Sequence, residues 1–439
     1  METQEQKRKN RIKNAILLVL FVGMIVLTCA TCLTGLNLDS IPADSMFARV
    51  YQRFTYGVSG FEMRTGGDAA AEPTRIAVSS ADGLVGAQYH AASVSTLYTV
   101  LRDPMGQALD GAGQFYAVSE ADFAAALDSE EVLYFGYEGE LPLALLSGWM
   151  GGTESSMIRT DLLLLTAQGE LFVHNADGYQ CAQAPANPGA WREAMRELSA
   201  STCSFAAQHK DGRMENVRPD TLLFENESTS AEQMTIRYPG YLDGQSGSDL
   251  TALLEAFAYD PYVRSYDEDR GETRVFVENF STLHISSGGQ VDFNTSALEG
   301  GLEAYAAGEI DPDEALRLQT DFAYTLLREV QGSMSDSSQA MLFDVEERDD
   351  GIRILSFIQL VGGIPVETGE TFAWFEFQDG QLIEAQFRLR ALDPNGGRTT
   401  LLPTVQAAAA APSGGLRPSL VYLPDEDADT FSARRCYQK

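Results

Sequence analysis

The residues of this chain that are able to do chemistry lie scattered along it. Glu138 with Glu140, and Asp267 with Asp269, are close carboxylate pairs of the type that flank a glycosidic bond, one giving a proton while the other attacks or activates water. With 63 acids in 439 residues such pairs arise by chance, and Asp267–Arg270 (DEDR) stands before Gly271 like an exposed hairpin tip. Four histidines, His90, His174, His209 and His284, and five cysteines stand far apart, except for Cys29 and Cys32 inside an apolar run, so no metal-ligand spacing appears. His284 alternates with Leu283 and Ile285 in a strand pattern and is expected to face solvent rather than act as a base. The acidic run Asp425, Glu426, Asp427 and Asp429 lacks the Gly turn and distal Glu of a calcium loop and reads as a solvated segment. Nucleophile-elbow, Ser-x-x-Lys, zinc-protease, phosphate-loop and dinucleotide fingerprints are all missing. The expectation is a protein that is not an enzyme, with no catalytic residue, metal or cofactor.

Composition narrows the class further. Apolar residues make up 44% and aromatics 10%, enough for a buried core. The formal charge of −32 excludes nucleic acid as a partner, because phosphate backbones would repel the chain. The charge is unevenly placed. Residues 1–14 hold Lys7, Arg8, Lys9, Arg11 and Lys13, and the 19 residues Ala15–Leu33 that follow carry none. An apolar run over 15–38 is about the length that crosses a bilayer core, and the preceding cations hold their end in the cytoplasm. Residues 1–38 carry five cations and two acids, so the net −32 leaves −35 on residues 39–439. The expected topology is a basic cytoplasmic tail (1–14), one transmembrane helix (15–38) and an acidic extracytoplasmic body, at the cell membrane. A cleaved signal peptide is the rival reading, although the run exceeds a typical apolar signal region and no clean small-x-small site precedes Asp39. Lipid attachment at Cys29 or Cys32 is disfavoured by Thr28 and Thr31 before them. Met24, Thr28, Thr31 and Gly35 recur at spacings of 4, 3 and 4 along one helical face, either as a seam for a neighbouring helix or as residues a bilayer helix tolerates.

Beyond the membrane segment the pattern is α+β, in about three modules with antiparallel sheets. The first spans 45–210, with a helix over Ser95–Leu109 and a Ser119-x-x-Asp122 capping pattern opening a helix to Leu127. A strand over Glu131–Tyr137, a hairpin of Ile158–Leu165 with Glu170–His174, and a helix over Ala190–Ser199 complete it. The polar stretch Gln208–Val217 marks a boundary to a middle module, 219–305, with a helix at Ser248–Phe257 and strands turned at Gly288-Gly289. The last module, 309–439, opens on Asp311 as a helix cap with Pro312 behind it; the helix runs to about Val330 and precedes a four-stranded meander turned at Asp379-Gly380. Helix, strand, strand occurs in both 248–293 and 311–358, which suggests related modules in tandem. Trp149, Trp191 and Trp374 are expected in the core. Cys181, Cys203 and Cys436 cannot all pair with one another, and either a Cys181–Cys203 bridge or three ordinary small residues fits the sequence.

The C-terminal layout is similar to the general plan of cystatin-like and PepSY-like domains. Several stretches go further. Val118-Ser119-Glu120 leads through Glu131-Val132-Leu133-Tyr134-Phe135 to Glu140-Leu141-Pro142-Leu143. Phe257 and Asp260-Pro261-Tyr262-Val263-Arg264 lead past Gly271 to Thr282-Leu283-His284-Ile285 and Val291-Asp292-Phe293, and Asp311 is followed by Gly363-Ile364-Pro365-Val366 and Asp379-Gly380. In these stretches, over most of its length, the chain resembles the YycH family, and in its two C-terminal modules the related YycI family. The resemblance implies one membrane helix with an extracytoplasmic body that modulates a membrane sensor histidine kinase, in a two-component system governing cell-wall metabolism in Gram-positive bacteria. It also implies contact through membrane helices, here carried over to Met24, Thr28, Thr31 and Gly35, and a YycI-like protein as a further partner. The chain departs from the family in the Ala-rich stretch Thr404–Ala411, where a longer helix and firmer final strand are expected, so the last module is read as trimmed. Three functions stay open on the sequence: kinase adaptor, envelope-ligand binding module and wall-active hydrolase, the last the poorest.

Overall fold

A computed structural model describes residues 72–438 except 81–82, 130, 154–155, 157, 197, 199, 226, 243–246, 307–309, 332–337, 349–350 and 427–428. The expected tail, membrane helix and partner-helix stripe therefore lie outside the described residues, among which no helix is long and apolar enough to cross a membrane.

Apolar runs such as Ile76-Ala77-Val78 in Arg75–Ser80 and Val132–Tyr137 in Val132–Pro142 are what a strand buried on both faces requires. The N-terminal part supplies β1 (Arg75–Ser80), β2 (Gly83–Gln88), β3 (Tyr116–Val118), β4 (Val132–Pro142), β5 (Arg159–Thr166), β6 (Glu170–Asn175), β7 (Gly178–Gln183), β8 (Ser201–Phe205) and β9 (Leu222–Phe224). They form one antiparallel sheet in the order 3-7-6-5-4-1-2-8-9. On one face pack α1 (Ala91–Asp110), α3 (Leu143–Trp149) and α4 (Pro188–Ala194), against Ile76, Val78, Leu133, Phe135, Leu163 and Leu165. On the other, α2 (Glu120–Leu127) sets Phe123 against Phe172, with Ala77, Tyr134, Leu162 and Phe205 alongside. The capping box at Ser119 and Asp122 forms as the sequence predicts. The helix expected over 190–199 ends sooner, at Ala194, and begins earlier, because Asn187 caps the Ala190 amide and Pro188 takes the first turn.

The remaining chain builds a second sheet. Its elements are β10 (Ser230–Arg237), α5 (Gly247–Ala256), β11 (Ser265–Glu268), β12 (Thr273–Glu278), β13 (Ser281–Ser286), β14 (Gln290–Thr295) and β15 (Leu302–Glu303). Then come α6 (Pro312–Gln331), β16 (Ser338–Glu347), β17 (Arg353–Val361), β18 (Ile364–Val366), β19 (Ala373–Gln378) and β20 (Gln381–Arg388). The chain ends with β21 (Ala391–Thr400), α7 (Thr404–Ala409), β22 (Arg417–Pro424) and β23 (Thr430–Gln438). Asp311 caps α6, its Oδ1 accepting from the Asp313 amide at 3.0 Å. Strands β11 to β14 form one meander and β16, β17, β19 and β20 a second; the two join through their last strands, β14 and β20. Each meander follows its own helix. Both α5 and α6 lie on the same face, where Phe257 stacks on Phe293 at 5.3 Å and meets Phe387 at 5.7 Å. At the C-terminus the chain pairs β22 with β23 over eight residues, and Glu227 accepts from the Thr404 amide at 2.7 Å to hold the short α7.

The two sheets are joined closely. One apolar core runs from β1 and β4 past α3 to α6 and β19. Gly363, in the turn after β17, meets the start of α1, where Gly362 accepts from the Ala91 amide at 3.1 Å. Gly139 in β4 lies directly against the Phe343 carbonyl of β16, with no room for a Cβ. Gly139→Ala is therefore expected to destabilise the protein by about 1–3 kcal/mol, as overpacking does, read as a lower midpoint in urea unfolding.

Candidate functional site

The described residues bring one dense cluster of ionisable groups together, at the junction of the sheets. Strand β1 supplies Arg75, β4 supplies Tyr134 and Glu138, β5 supplies Asp161, and the segment before β9 supplies Arg218 and Asp220. The sixth charge arrives from far along the chain, as Arg417 at the start of β22. It is delivered by main-chain bonds: Arg218 N donates to Leu416 O at 3.1 Å and Leu416 N to Asn216 O at 3.2 Å. All six side chains are nearly or fully buried.

Arg218 is the hub. Its guanidinium grips Asp220 through Nε at 3.0 Å and Nη2 at 3.1 Å, and reaches Asp161 through Nη1 at 2.5 Å. Asp220 also accepts from the Tyr134 hydroxyl at 2.8 Å, and Asp161 from His174 Nδ1 at 2.8 Å. Arg75 donates to the Tyr137 carbonyl and lies 4.0 Å from Glu138, while Arg417 sits 3.6 Å from Glu138 and 3.8 Å from Asp161. Thr74 closes the set by donating to Glu138 at 2.6 Å. Three guanidinium groups thus face three carboxylates, a balance that a low-dielectric interior demands.

Titration follows from this geometry. Burial alone would raise the carboxyls, but His174 and Arg218 hold Asp161 well below the usual range, and Arg218 likewise lowers Asp220. Burial would lower Arg218, yet Asp220 and Asp161 hold it well above its ordinary value. Burial, then Asp220, pushes the Tyr134 hydroxyl up. These carboxylates stay charged and engaged, which is the arrangement of a fixed ionic joint rather than of a proton donor awaiting substrate. Among the described residues no three His, Cys, Asp or Glu side chains are grouped as a metal ion needs.

The candidates from the sequence go separate ways. Glu138 enters the joint without Glu140. Asp267 pairs across the β11–β12 hairpin with Arg274 at 2.9 Å, beside the turn that holds Asp269. His90 caps α1, its Nδ1 accepting from the Ser93 amide at 3.3 Å, and His209 bonds Ser204 at 2.8 Å. Cys181, Cys203 and Cys436 are free thiols, and burial pushes Cys203 up to about 12. Asp425 is not merely solvated: it accepts from Ser432 at 2.6 Å and from Arg434. Trp149 and Trp191 are buried, but Trp374 is not in the core. Its strand turns Ala373, Phe375 and Phe377 inward and Trp374 outward. There it shares a cross-strand row with Gln386, Asp292 and His284 on the sheet face opposite the helices, with Gln386 donating to Asp292 at 2.7 Å. The joint itself was hidden in the sequence; its one local signal is a charged residue at the mouth of an apolar strand, as in Arg75-Ile76-Ala77-Val78.

Fold and joint together define a mixed α+β protein built on antiparallel-rich sheets. No family model matches the chain, and no curated protein matches it. Among solved structures it is similar to the crystal structure of YycH from Bacillus subtilis, at 12% identity and a TM-score of 0.47, over 83% of this chain and 94% of that one.

Breaking the joint at one point should be costly. Asp220→Asn is expected to lose about 3–5 kcal/mol near neutral pH, because three buried guanidinium groups then face two carboxylates. Both carboxyls titrate lower in the folded state, so their contribution is present above the unfolded value of about 3.9 and is lost as the pH falls below it. The gap in unfolding free energy between the wild type and Asp220→Asn should accordingly begin to narrow below about pH 5 and go on narrowing as the pH falls toward the depressed folded-state values; a constant gap would mean that the carboxylate's charge is not what stabilises.

Proposed function

We propose that this chain is a membrane-anchored extracytoplasmic regulatory or adaptor protein, one that modulates a membrane sensor histidine kinase of a two-component system linked to cell-wall metabolism. The observation that carries the reading is the N-terminal pattern, five cations followed by the uncharged run Ala15–Leu33 and then a body of net charge −35, joined to the sequence resemblance to the YycH family. The protein acts by binding, not catalysis. Its seam for the kinase or for a YycI-like protein is the stripe Met24, Thr28, Thr31 and Gly35, where small residues let helices approach. A second reading, an envelope-ligand binding module, draws on the outward Trp374 beside the Gln386–Asp292 pair.

The deciding experiment is a pull-down of the full chain from gently solubilised native membranes, run beside a version whose residues 15–38 are replaced by an unrelated membrane helix. A sensor kinase is expected with the native helix alone. The same partners with both versions would move the contact out of the bilayer, and no kinase with either would sink the adaptor reading. Protease added to intact spheroplasts should digest the chain after residue 40 and spare the tail, whereas protection of the whole chain would overturn the topology.

A further inference from the structure

Large apolar side chains stand in solvent at one corner of the second sheet: Tyr262 is 95% exposed, Phe280 68%, Val277 48% and Leu298 39%. Phe280 occupies a costly position. With Asn279 it forms the two-residue turn between β12 and β13, and both residues are left-handed, at φ 46° and 68°. Such turns favour Gly at the second place, because a side chain there crowds the backbone. The β19–β20 turn of the same sheet has that solution in Asp379-Gly380, at φ 48° and 81°. Phe280 accepts backbone strain and also leaves its ring in water, and neither serves the fold.

The corner is held in shape by its neighbours. The Phe280 carbonyl accepts from the Ser296 amide at 2.8 Å and hydroxyl at 2.9 Å, and the Glu278 carboxylate accepts from the Asp260 amide at 2.9 Å. Tyr259 and Ser281 share a hydroxyl bond of 2.7 Å, which ties the loop carrying Tyr262 to the turn carrying Phe280. Within residues 258–264, 277–281 and 296–303 the charged groups are Asp260, Glu278, Glu299 and Glu303 against Arg264 alone. An acidic rim around exposed aromatics repels anionic lipid and a second copy of this acidic chain, and complements a cationic surface.

We infer that this corner is a docking surface for a second protein, one presenting an apolar side-chain cluster ringed by lysine or arginine. The surface goes beyond the kinase reading and does not require it.

The test uses the full chain in its native membrane, with a photo-crosslinking phenylalanine at position 262 or 280 and at exposed Lys210 as a control. Adducts from 262 and 280 should reach the same protein, map by mass spectrometry to a peptide of net positive charge, exceed the control several-fold and fall several-fold at high salt. Phe280→Gly should cut the yield from position 262 several-fold while leaving the thermal unfolding midpoint unchanged or raised, since glycine takes the left-handed turn freely. Yields no higher than the control, adducts to lipid, to an acidic peptide or to another copy of the chain, an unchanged yield in Phe280→Gly, or a lowered midpoint would each overturn the inference. An adduct with a cationic protein other than a sensor kinase keeps the surface and leaves the kinase reading to the pull-down, so the two failures are separable.

Discussion

Charge balance at the buried junction of the two sheets is the constraint on which the architecture rests. Arg75, Arg218 and Arg417 share an interior with Glu138, Asp161 and Asp220, where an uncompensated charge costs several kcal/mol. Each of the six is balanced by charges that other segments of the chain bring. Because Arg75 opens the first described strand and Arg417 opens the next to last, the two ends of the body must fold together. Glycine contacts at Gly139 and Gly363 serve the same junction by letting backbones touch where a side chain would hold them apart.

Around that joint the two sheets solve different problems. The first is covered on both faces, so its central strands bury apolar side chains to either side. The second carries α5 and α6 on one face only, and its strands alternate: Phe375 and Phe377 go inward, Trp374 and Glu376 outward. Its double meander, joined through β14 and β20, therefore shows a broad half-exposed polar face and, among the described residues, an edge strand in β11. Surface that is rigid, acidic and not used for packing suits a protein whose work is recognition.

An adaptor of a sensor kinase acts by binding one kinase state better than another, and its effect cannot exceed that difference in affinity. A helix seam in the bilayer and a stiff body outside it would supply separate contributions to such a difference. The ionic joint matters here because contacts at a corner of the second sheet bear on the rest of the body only if the sheets do not move independently.

Much of the fold could be read from local chemistry. The Ser119 capping box, the Asp311-Pro312 helix start and the Gly289 and Gly380 turns each act within a few residues, so the chain declares them directly. Other elements have no local voice. The helix Leu143–Trp149 is apolar nearly all round and shows no periodic face; β21 runs through Pro394-Asn395-Gly396-Gly397, which reads as a turn; and β23, with Arg434 and Arg435, becomes a strand because β22 lies beside it. Of the joint's six charges, Glu138 stands out in the sequence as half of a carboxylate pair, and in the structure it faces Arg75 and Arg417. By itself the sequence determined the α+β class, the acidic charge of the body and the caps and turns that punctuate it, since these depend on composition and near neighbours. Only the tertiary structure decided which few of 63 acids and 31 bases are buried together, because that choice is made by strands as far apart in the chain as those of Glu138 and Arg417 meeting where water cannot follow.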